Sequence, residues 1–197
     1  MNPAMRTPAR TLARTLHVLA LCGALGLLAM TGCTKATPDQ DPTTPVPDAT
    51  FDEAQSVADA TAALYRFYEV RNWCLANPTI ADFTCFDSVA VDQELTGYRE
   101  TLDNIQREGW HAEGDFEVLS VDVVATYFDG PIPQVKLAAC VDQRSWNYYD
   151  ESGQPFAQES DLPTTYQRIV WQLVNYDYPA ADQWKVSYRP EGESGTC

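Results

Sequence analysis

Residues 90–128 read AVDQELTGYRETLDNIQREGWHAEGDFEVLSVDVVATYF, and the spacing of the apolar residues changes within this stretch. The first half has apolar residues at steps of four, three, four and three, namely Val91, Leu95, Tyr98, Leu102 and Ile105. This is the spacing of one face of an α-helix, so we predict a helix over about 90–108 with Gly109 as its C-cap. The second half has an apolar residue at every second position, which predicts a strand over about 116–128.

A helix is also predicted upstream of this stretch. Thr50-x-x-Glu53 matches a capping box. Apolar residues then recur at helical spacing, namely Ala54, Val57, Ala58, Leu64, Tyr65 and Tyr68. We expect this helix to run to about Cys74, because Asn77-Pro78 breaks it.

Strands are predicted downstream. The strand over 116–128 is expected to place one set of residues on a single face: Leu119, Val121, Val123, Ala125 and Tyr127. The next strand alternates Val135, Leu137, Ala139 and Val141 with Lys136, Cys140, Asp142 and Arg144. Further strands are expected over 165–176, with Ile169, Trp171 and Leu173 on one face, and around Trp184, Val186 and Tyr188. Helices followed by an antiparallel meander predict an α+β fold.

The N-terminal segment resembles the signal of bacterial lipoproteins. Three arginines precede an apolar run over residues 16–30, and Met30-Thr31-Gly32-Cys33 is similar to a lipobox. The run is shorter than the roughly 20 residues of a membrane-spanning helix, so we interpret residues 1–32 as a cleaved signal peptide. The resemblance implies that Cys33 is lipidated, and that acyl chains such as palmitate hold the protein on the extracytoplasmic side of the cell membrane. The alternative is an ordinary secretory signal, although no Ala-x-Ala site ends the apolar run.

Residues 33–50 have the composition of a linker. They contain four prolines and many threonines, with little that a core would bury. We therefore expect one folded domain over 51–197, held away from the membrane by a semi-rigid spacer.

Charge and composition exclude several classes of partner. The chain has 13 basic and 28 acidic residues, a net charge of −15. Removal of residues 1–32 leaves ten basic residues against the same 28 acidic ones, a net charge of −18. Such a charge argues against binding to nucleic acid or to anionic lipid headgroups. The ten arginines against three lysines are typical of a high-GC bacterium such as an actinobacterium.

Four cysteines follow the linker, and an even number in an exported protein suggests two disulfides. Cys74 and Cys85 are close in sequence on either side of the Asn77-Pro78 break, so we predict that they pair. Cys140 is expected on the outward face of its strand, where it would tie down the polar tail that ends at Cys197. A zinc site is the competing interpretation, but the spacing lacks a C-x-x-C pair, so we expect no metal.

The order of elements resembles the NTF2-like (SnoaL-like, ketosteroid-isomerase-like) cone fold. The resemblance rests on two N-terminal helices, long aromatic strands and the closing strand Trp184-Lys185-Val186. It implies helices packed on a curved antiparallel sheet, with a cavity against its concave face. Five aromatic residues would point toward that interior: Tyr65, Tyr68, Tyr98, Tyr127 and Trp171. Ordinary core packing is the favoured interpretation of this set, and a ligand pocket is the alternative.

Two functional hypotheses follow, with no catalytic residue and no cofactor assigned. The first is a non-catalytic, membrane-anchored module that binds a small apolar ligand or an envelope protein, with a homodimer through the sheet face of Arg168 and Gln172 as a further option. The second is an isomerase- or dehydratase-type enzyme with a pocket carboxylate and a tyrosine. An open cavity with a buried acid near a tyrosine hydroxyl would favour the enzyme.

Overall fold

In the computed structural model, which describes residues 52–157, 161 and 163–197, two helices precede an antiparallel sheet. The elements are α1 (Glu53–Ala76), α2 (Asp92–Glu108), β1 (His111–Glu113), β2 (Glu117–Tyr127), β3 (Gln134–Asp142), β4 (Asn147–Tyr149), β5 (Gln167–Val174), β6 (Lys185–Tyr188) and β7 (Gly195–Thr196). The predicted α+β class, with N-terminal helices packed on an antiparallel sheet, is confirmed. The expected signal peptide, Cys33 and the linker lie outside the described residues.

The N-cap of helix α1 lies two residues later than predicted. Asp52, not Thr50, is the N-cap, and its side chain accepts a hydrogen bond from the backbone N–H of Gln55 at 3.0 Å. A carboxylate at this position satisfies a free N–H of the first turn and suits the positive end of the helix dipole. The helix passes Cys74 and ends at Ala76, where Asn77 caps it.

The buried face of α1 differs from the predicted stripe. It consists of Ser56, Ala60, Ala63, Leu64, Phe67, Tyr68, Arg71, Cys74 and Leu75. The prediction placed Tyr65 on this face, and that placement is wrong, because Tyr65 lies about 100° around the helix from Leu64 and is 40% exposed. Two polar residues on the buried face, Ser56 and Arg71, made it harder to recognise from the sequence.

Helix α2 follows the predicted pattern closely. Leu102 and Ile105 are buried, and Leu95 and Tyr98 pack against the core. The helix begins at Asp92, two residues after the predicted start. Gly109 ends it in the left-handed conformation, at φ 71°, as a C-cap glycine should.

The main sheet has the strand order β2-β3-β5-β6, and β7 also pairs with β5. A separate two-stranded sheet joins β1 to β4. Strand β3 is central, and its predicted inward residues are all fully buried: Val135, Leu137, Ala139 and Val141. On β5 the predicted inward residues Ile169, Trp171 and Leu173 are buried as well.

Strand β2 contains two irregularities that overturn its predicted alternation. The pairing with β3 shifts between Val118 and Ser120 and again between Val123 and Ala125. Each β-bulge inserts a residue and moves the following side chains to the other face. Val121 therefore lies opposite the buried Ala139, whereas Ala125 lies opposite Lys136. The expected single face from Leu119 to Tyr127 is wrong for this reason.

The last nine residues, 189–197, form a segment that we call the C-terminal strap. It leaves β6 and ends in β7, where Gly195 and Thr196 pair with the first residues of β5. Because β3 occupies the other edge of β5, the strap runs along the same edge as β6. The sheet face that holds Arg168 and Gln172 is less exposed than predicted, since Val170 and Val174 on that face are buried.

Candidate functional site

A cavity of about 590 Å³ lies between the two helices, the start of β5 and the C-terminal strap. Its lining is more polar than the resemblance implied. The contributing residues are Tyr68, Arg71, Gln93, Glu94, Tyr98, Phe116, Gln143, Gln167, Arg168, Ile169, Trp171, Tyr188, Arg189, Pro190, Glu191, Gly192 and Ser194. A volume of this size suits a small organic molecule, since ligand pockets typically measure about 300–1,000 Å³.

Three buried aromatic rings support the floor of the cavity. Phe67 lies among them, with ring centroids 5.4 Å from Tyr68, 5.4 Å from Tyr98 and 5.1 Å from Trp171, all in edge-to-face geometry. Such contacts fix ring orientation as well as adding burial energy. Trp171 Nε1 donates a hydrogen bond to Tyr68 Oη at 2.8 Å. The floor is therefore rigid, and its polar atoms have defined positions.

The hydroxyls of Tyr68 and Tyr98 both accept hydrogen bonds from nitrogen donors. Tyr98 Oη accepts from Arg71 Nε at 3.0 Å, just as Tyr68 Oη accepts from Trp171. Burial is the main cause that raises the pKa of each tyrosine above its ordinary value. Both hydroxyls consequently stay protonated at neutral pH, and each retains one hydrogen that it can donate.

Arg71 is a charged residue on the buried face of α1, with only 8% of its surface exposed. Besides Tyr98, it contacts Asn72 Oδ1 from Nη1 at 3.5 Å. Its guanidinium carbon lies 3.7 Å from the ring centroid of Phe116 and 4.6 Å from that of Trp146. Aromatic faces attract a cation, and these two rings hold the guanidinium group in place.

Glu94 lies on the α2 wall of the same cavity and is half-buried. Burial is the largest cause that raises the pKa of its carboxyl, while the positive charges of Arg189 and Arg71 act in the opposite direction. A carboxyl in this setting is closer to accepting a proton near neutral pH than an exposed glutamate. The cavity thus combines an acid, two hydroxyl donors and two guanidinium groups.

The C-terminal strap forms the remaining wall. Arg189 lies 5.9 Å from the Trp171 ring, on the helix side of the sheet. Glu193 reaches the opposite face, where its carboxylate pairs with Lys136 at 3.0 Å and its carbonyl accepts from Arg168 at 2.9 Å. A disulfide joins Cys197 to Cys140, with a Cα–Cα distance of 5.9 Å. The strap is therefore held in place by one ion pair, one hydrogen bond and one disulfide.

Both predicted disulfides are confirmed. Cys74 pairs with Cys85, with a Cα–Cα distance of 6.3 Å, behind the C-terminal end of α1. The second pairing, Cys140 with Cys197, closes the strap that lines the cavity. Only this second disulfide therefore bears on the geometry of the site.

The structure brings together three of the five aromatic residues that the sequence singled out. Tyr68, Tyr98 and Trp171 line the cavity. Tyr65 and Tyr127 lie outside its lining and are 40% and 44% exposed. Sequence reasoning missed Arg71, Glu94 and Arg189. A signal for Arg71 existed, because it stands four residues after Phe67 and three after Tyr68, on their face of the helix.

A second cavity, of about 720 Å³, lies near the end of α2 and includes Trp110, His111 and Glu151. His111 is partly exposed, stacks on Tyr149 and pairs with Glu113 at 3.2 Å. Among the described residues, no three His, Cys, Asp or Glu side chains gather in a way that could hold a metal ion. Nor does any helix in that part of the chain have the length and apolar character to span a membrane.

Comparisons with known proteins do not assign a function to this chain. No protein-family model matches the chain, and no curated protein matches it. A solved structure that aligns with it is the crystal structure of the intermembrane space region of the chloroplast protein ARC6. The alignment has a TM-score of 0.47 and 11% identity, and covers 71% of this chain and 94% of that chain.

Proposed function

We propose that this chain is a lipid-anchored, extracytoplasmic protein of the NTF2-like type whose folded domain binds a small molecule in the cavity between its helices and its sheet. The observation that carries the proposal is the cavity itself. It measures about 590 Å³, has a rigid aromatic floor, and contains the hydroxyls of Tyr68 and Tyr98, each of which has a hydrogen that it can donate to a ligand.

The proposed location draws its support from chemistry at both ends of the chain. The lipobox-like Met30-Thr31-Gly32-Cys33 would supply the anchor. The two disulfides fit an oxidising compartment outside the cytoplasm. An anionic domain gains nothing from anionic lipid headgroups, so the acyl chains must hold it, at about 0.8 kcal/mol per buried CH₂ group.

Ligand binding is tested by purifying the full chain from a bacterial host and analysing it for co-purifying small molecules by mass spectrometry. Gln93 is exposed on α2 and lines the cavity, so Gln93→Trp should fill the space and remove the ligand. Glu100→Trp is the matched control, because it places the same ring on the exposed face of α2, away from the cavity lining. Equal ligand content in the two variants would contradict the proposed site.

The anchor is tested separately with Cys33→Ala. Wild-type protein should partition with membranes and carry the mass of its acyl chains. The variant should remain outside the membrane fraction and lack the acyl mass. A wild-type protein that is released into the medium with an unmodified Cys33 would rule the anchor out.

A second candidate function is proton transfer next to a carbonyl group, as in an isomerase or a dehydratase. The observation that favours it is the combination of Glu94, whose pKa is raised by burial, with two tyrosine donors in the same cavity. Glu94 would accept the proton, and a tyrosine O–H would stabilise the oxyanion of the enolate.

Solvent deuterium exchange into a panel of β,γ-unsaturated ketones tests this alternative. Exchange should be faster with the wild type than with Glu94→Gln, which keeps the shape of the side chain and removes the base. If the rates are equal, or equal to the rate without protein, the cavity has no such activity.

A further inference from the structure

The cavity is less negative than the protein as a whole. Arg71 and Arg189 line it together with two acids, Glu94 and Glu191, whereas the guanidinium group of Arg168 lies on the opposite face of the sheet. The whole chain has a net charge of −15. A site that is locally near neutral in an anionic protein repels an anion less than the rest of the surface does.

Arg71 is the buried cation of this cavity, and its surroundings leave it incompletely satisfied. Its contacts in the described part of the chain are a tyrosine hydroxyl, a 3.5 Å contact to an asparagine oxygen and aromatic rings. No carboxylate of the described residues forms an ion pair with it. The carboxyl of Glu94 interacts with Arg71 electrostatically but forms no ion pair with it, so the five N–H donors of the guanidinium group lack a carboxylate acceptor.

The guanidinium group is also held in a fixed position. The rings of Phe116 and Trp146 lie 3.7 Å and 4.6 Å from its carbon, and Nε is bound to Tyr98. The planar fork of an arginine matches the two oxygens of a carboxylate, and a fork that is already oriented loses little entropy on binding.

The rest of the lining is suited to an aromatic ring. Tyr68, Phe116 and Trp171 contribute ring faces and edges, and Arg189 lies over Trp171 at the strap. Pairs of aromatic rings in offset or edge-to-face geometry gain energy beyond that of the area they bury. A molecule with a ring and one carboxylate would use both parts of the lining.

We infer that the ligand of this cavity is an aromatic carboxylic acid, whose carboxylate binds Arg71 and Arg189 and whose ring packs against Tyr68, Phe116 and Trp171. This inference rests on the proposed function, because it assumes that the cavity binds a ligand. It names the chemical class that the cavity selects.

Glu94 is expected to lower the affinity of the same site for an anionic ligand. Its carboxylate would repel that of the ligand, so its replacement by a neutral amide should tighten binding. Glu94→Gln and Arg71→Met are therefore expected to change the affinity in opposite directions, which a variant that merely disturbs packing would not reproduce.

The test measures binding of benzoate, phenylacetate and 2-naphthoate to the full chain by calorimetry, with each acid matched to its own amide. We expect each acid that binds to do so at least about tenfold more tightly than its amide, since a charge-assisted hydrogen bond contributes that much. Arg71→Met should remove the difference. Arg189→Gln should reduce it, and keeps the inference testable if the buried Arg71 variant does not fold, because Arg189 is exposed.

Arg66→Gln is the charge control, because Arg66 lies on the same helix, outside the cavity lining, and its hydrogen bond within the described residues is to the carbonyl of Asp182. Equal affinity for acids and amides would overturn the carboxylate assignment and leave ligand binding in place. Equal competition by chloride or acetate would show a general anion site and overturn the aromatic assignment. Binding of neither acids nor amides would contradict the proposed function together with the inference.

Discussion

The two disulfides close regions of opposite character. Cys74–Cys85 spans a segment whose neighbours Leu75, Phe86 and Val89 are all buried in the core. Cys140–Cys197 ends a strap whose last seven residues are exposed. In the first region the cross-link adds to packing that already exists. In the second it stands in for packing, so the wall of the cavity depends on a few discrete bonds.

The largest effect should come from packing in the first region. Phe86 is fully buried and stacks on Tyr98 with ring centroids 4.8 Å apart. We expect Phe86→Ala to lower the free energy of unfolding by about 3–5 kcal/mol, measured by urea denaturation. The strap counterpart is Thr196→Ala, for which we expect less than about 1 kcal/mol, because Thr196 lies in the exposed part of the strap. Similar losses would mean that the strap is part of the core.

The first disulfide should have the next largest effect. Its loop of 11 residues corresponds to about 3 kcal/mol in the chain-entropy model. The double variant Cys74→Ala/Cys85→Ala should lose about that amount, while the protein that remains folded binds its ligand with unchanged affinity. A large change in affinity would show that the site depends on both cross-links.

The second disulfide should cost less than its loop length suggests. The separation of 57 residues gives about 4 kcal/mol in the same model. Without the bond the strap can detach while the core stays folded, so the folded state also gains freedom. We therefore expect Cys140→Ala/Cys197→Ala to lose less than about 2 kcal/mol.

Hydrogen exchange separates this account from simple destabilisation. The amides of β7 should exchange rapidly in the double variant, those of β3 should remain protected, and ligand affinity should fall. A loss of the full 4 kcal/mol with β7 still protected would show that the strap unfolds only with the core.

The smallest effect concerns the ion pair that fixes the middle of the strap. The hydrogen bond with Glu193 is the main cause that raises the pKa of Lys136. A raised lysine pKa means that the stabilisation is complete below the unfolded-state value of about 10.4 and disappears as the pH rises through the folded-state value. We expect Lys136→Met to cost at most about 1 kcal/mol at pH 7, and we expect this difference from the wild type to disappear by pH 12. A pH-independent difference between wild type and variant would assign the cost to packing.

Much of this fold was predictable because its signals are local. The stripe of α2, the C-cap at Gly109 and the alternation of β3 each follow from neighbouring residues. The pairing of Cys140 with Cys197 followed from the parity of one strand. These features depend on the periodicity of helices and strands, and the same periodicity is visible in the spacing of apolar residues along the sequence.

The features that prediction missed depend on distant parts of the chain. Leu119 and Val124 resemble ordinary strand residues, and they become bulges only through their pairing with β3. Arg71 looked unfavourable for a buried face until Tyr98, Phe116 and Trp146 surrounded it. Such departures from the local pattern are expected at functional sites.

The bulges of β2 have a consequence for the behaviour of the protein at high concentration. Strand β2 ends the order of the main sheet, and it exposes Leu119, Val123, Val124 and Tyr127. A long, regular strand with such residues would template the addition of a strand from a neighbouring molecule. The two bulges limit the longest stretch in uninterrupted register to residues 120–123, too short for a stable addition. Molecules at high concentration would thereby be protected from edge-to-edge aggregation.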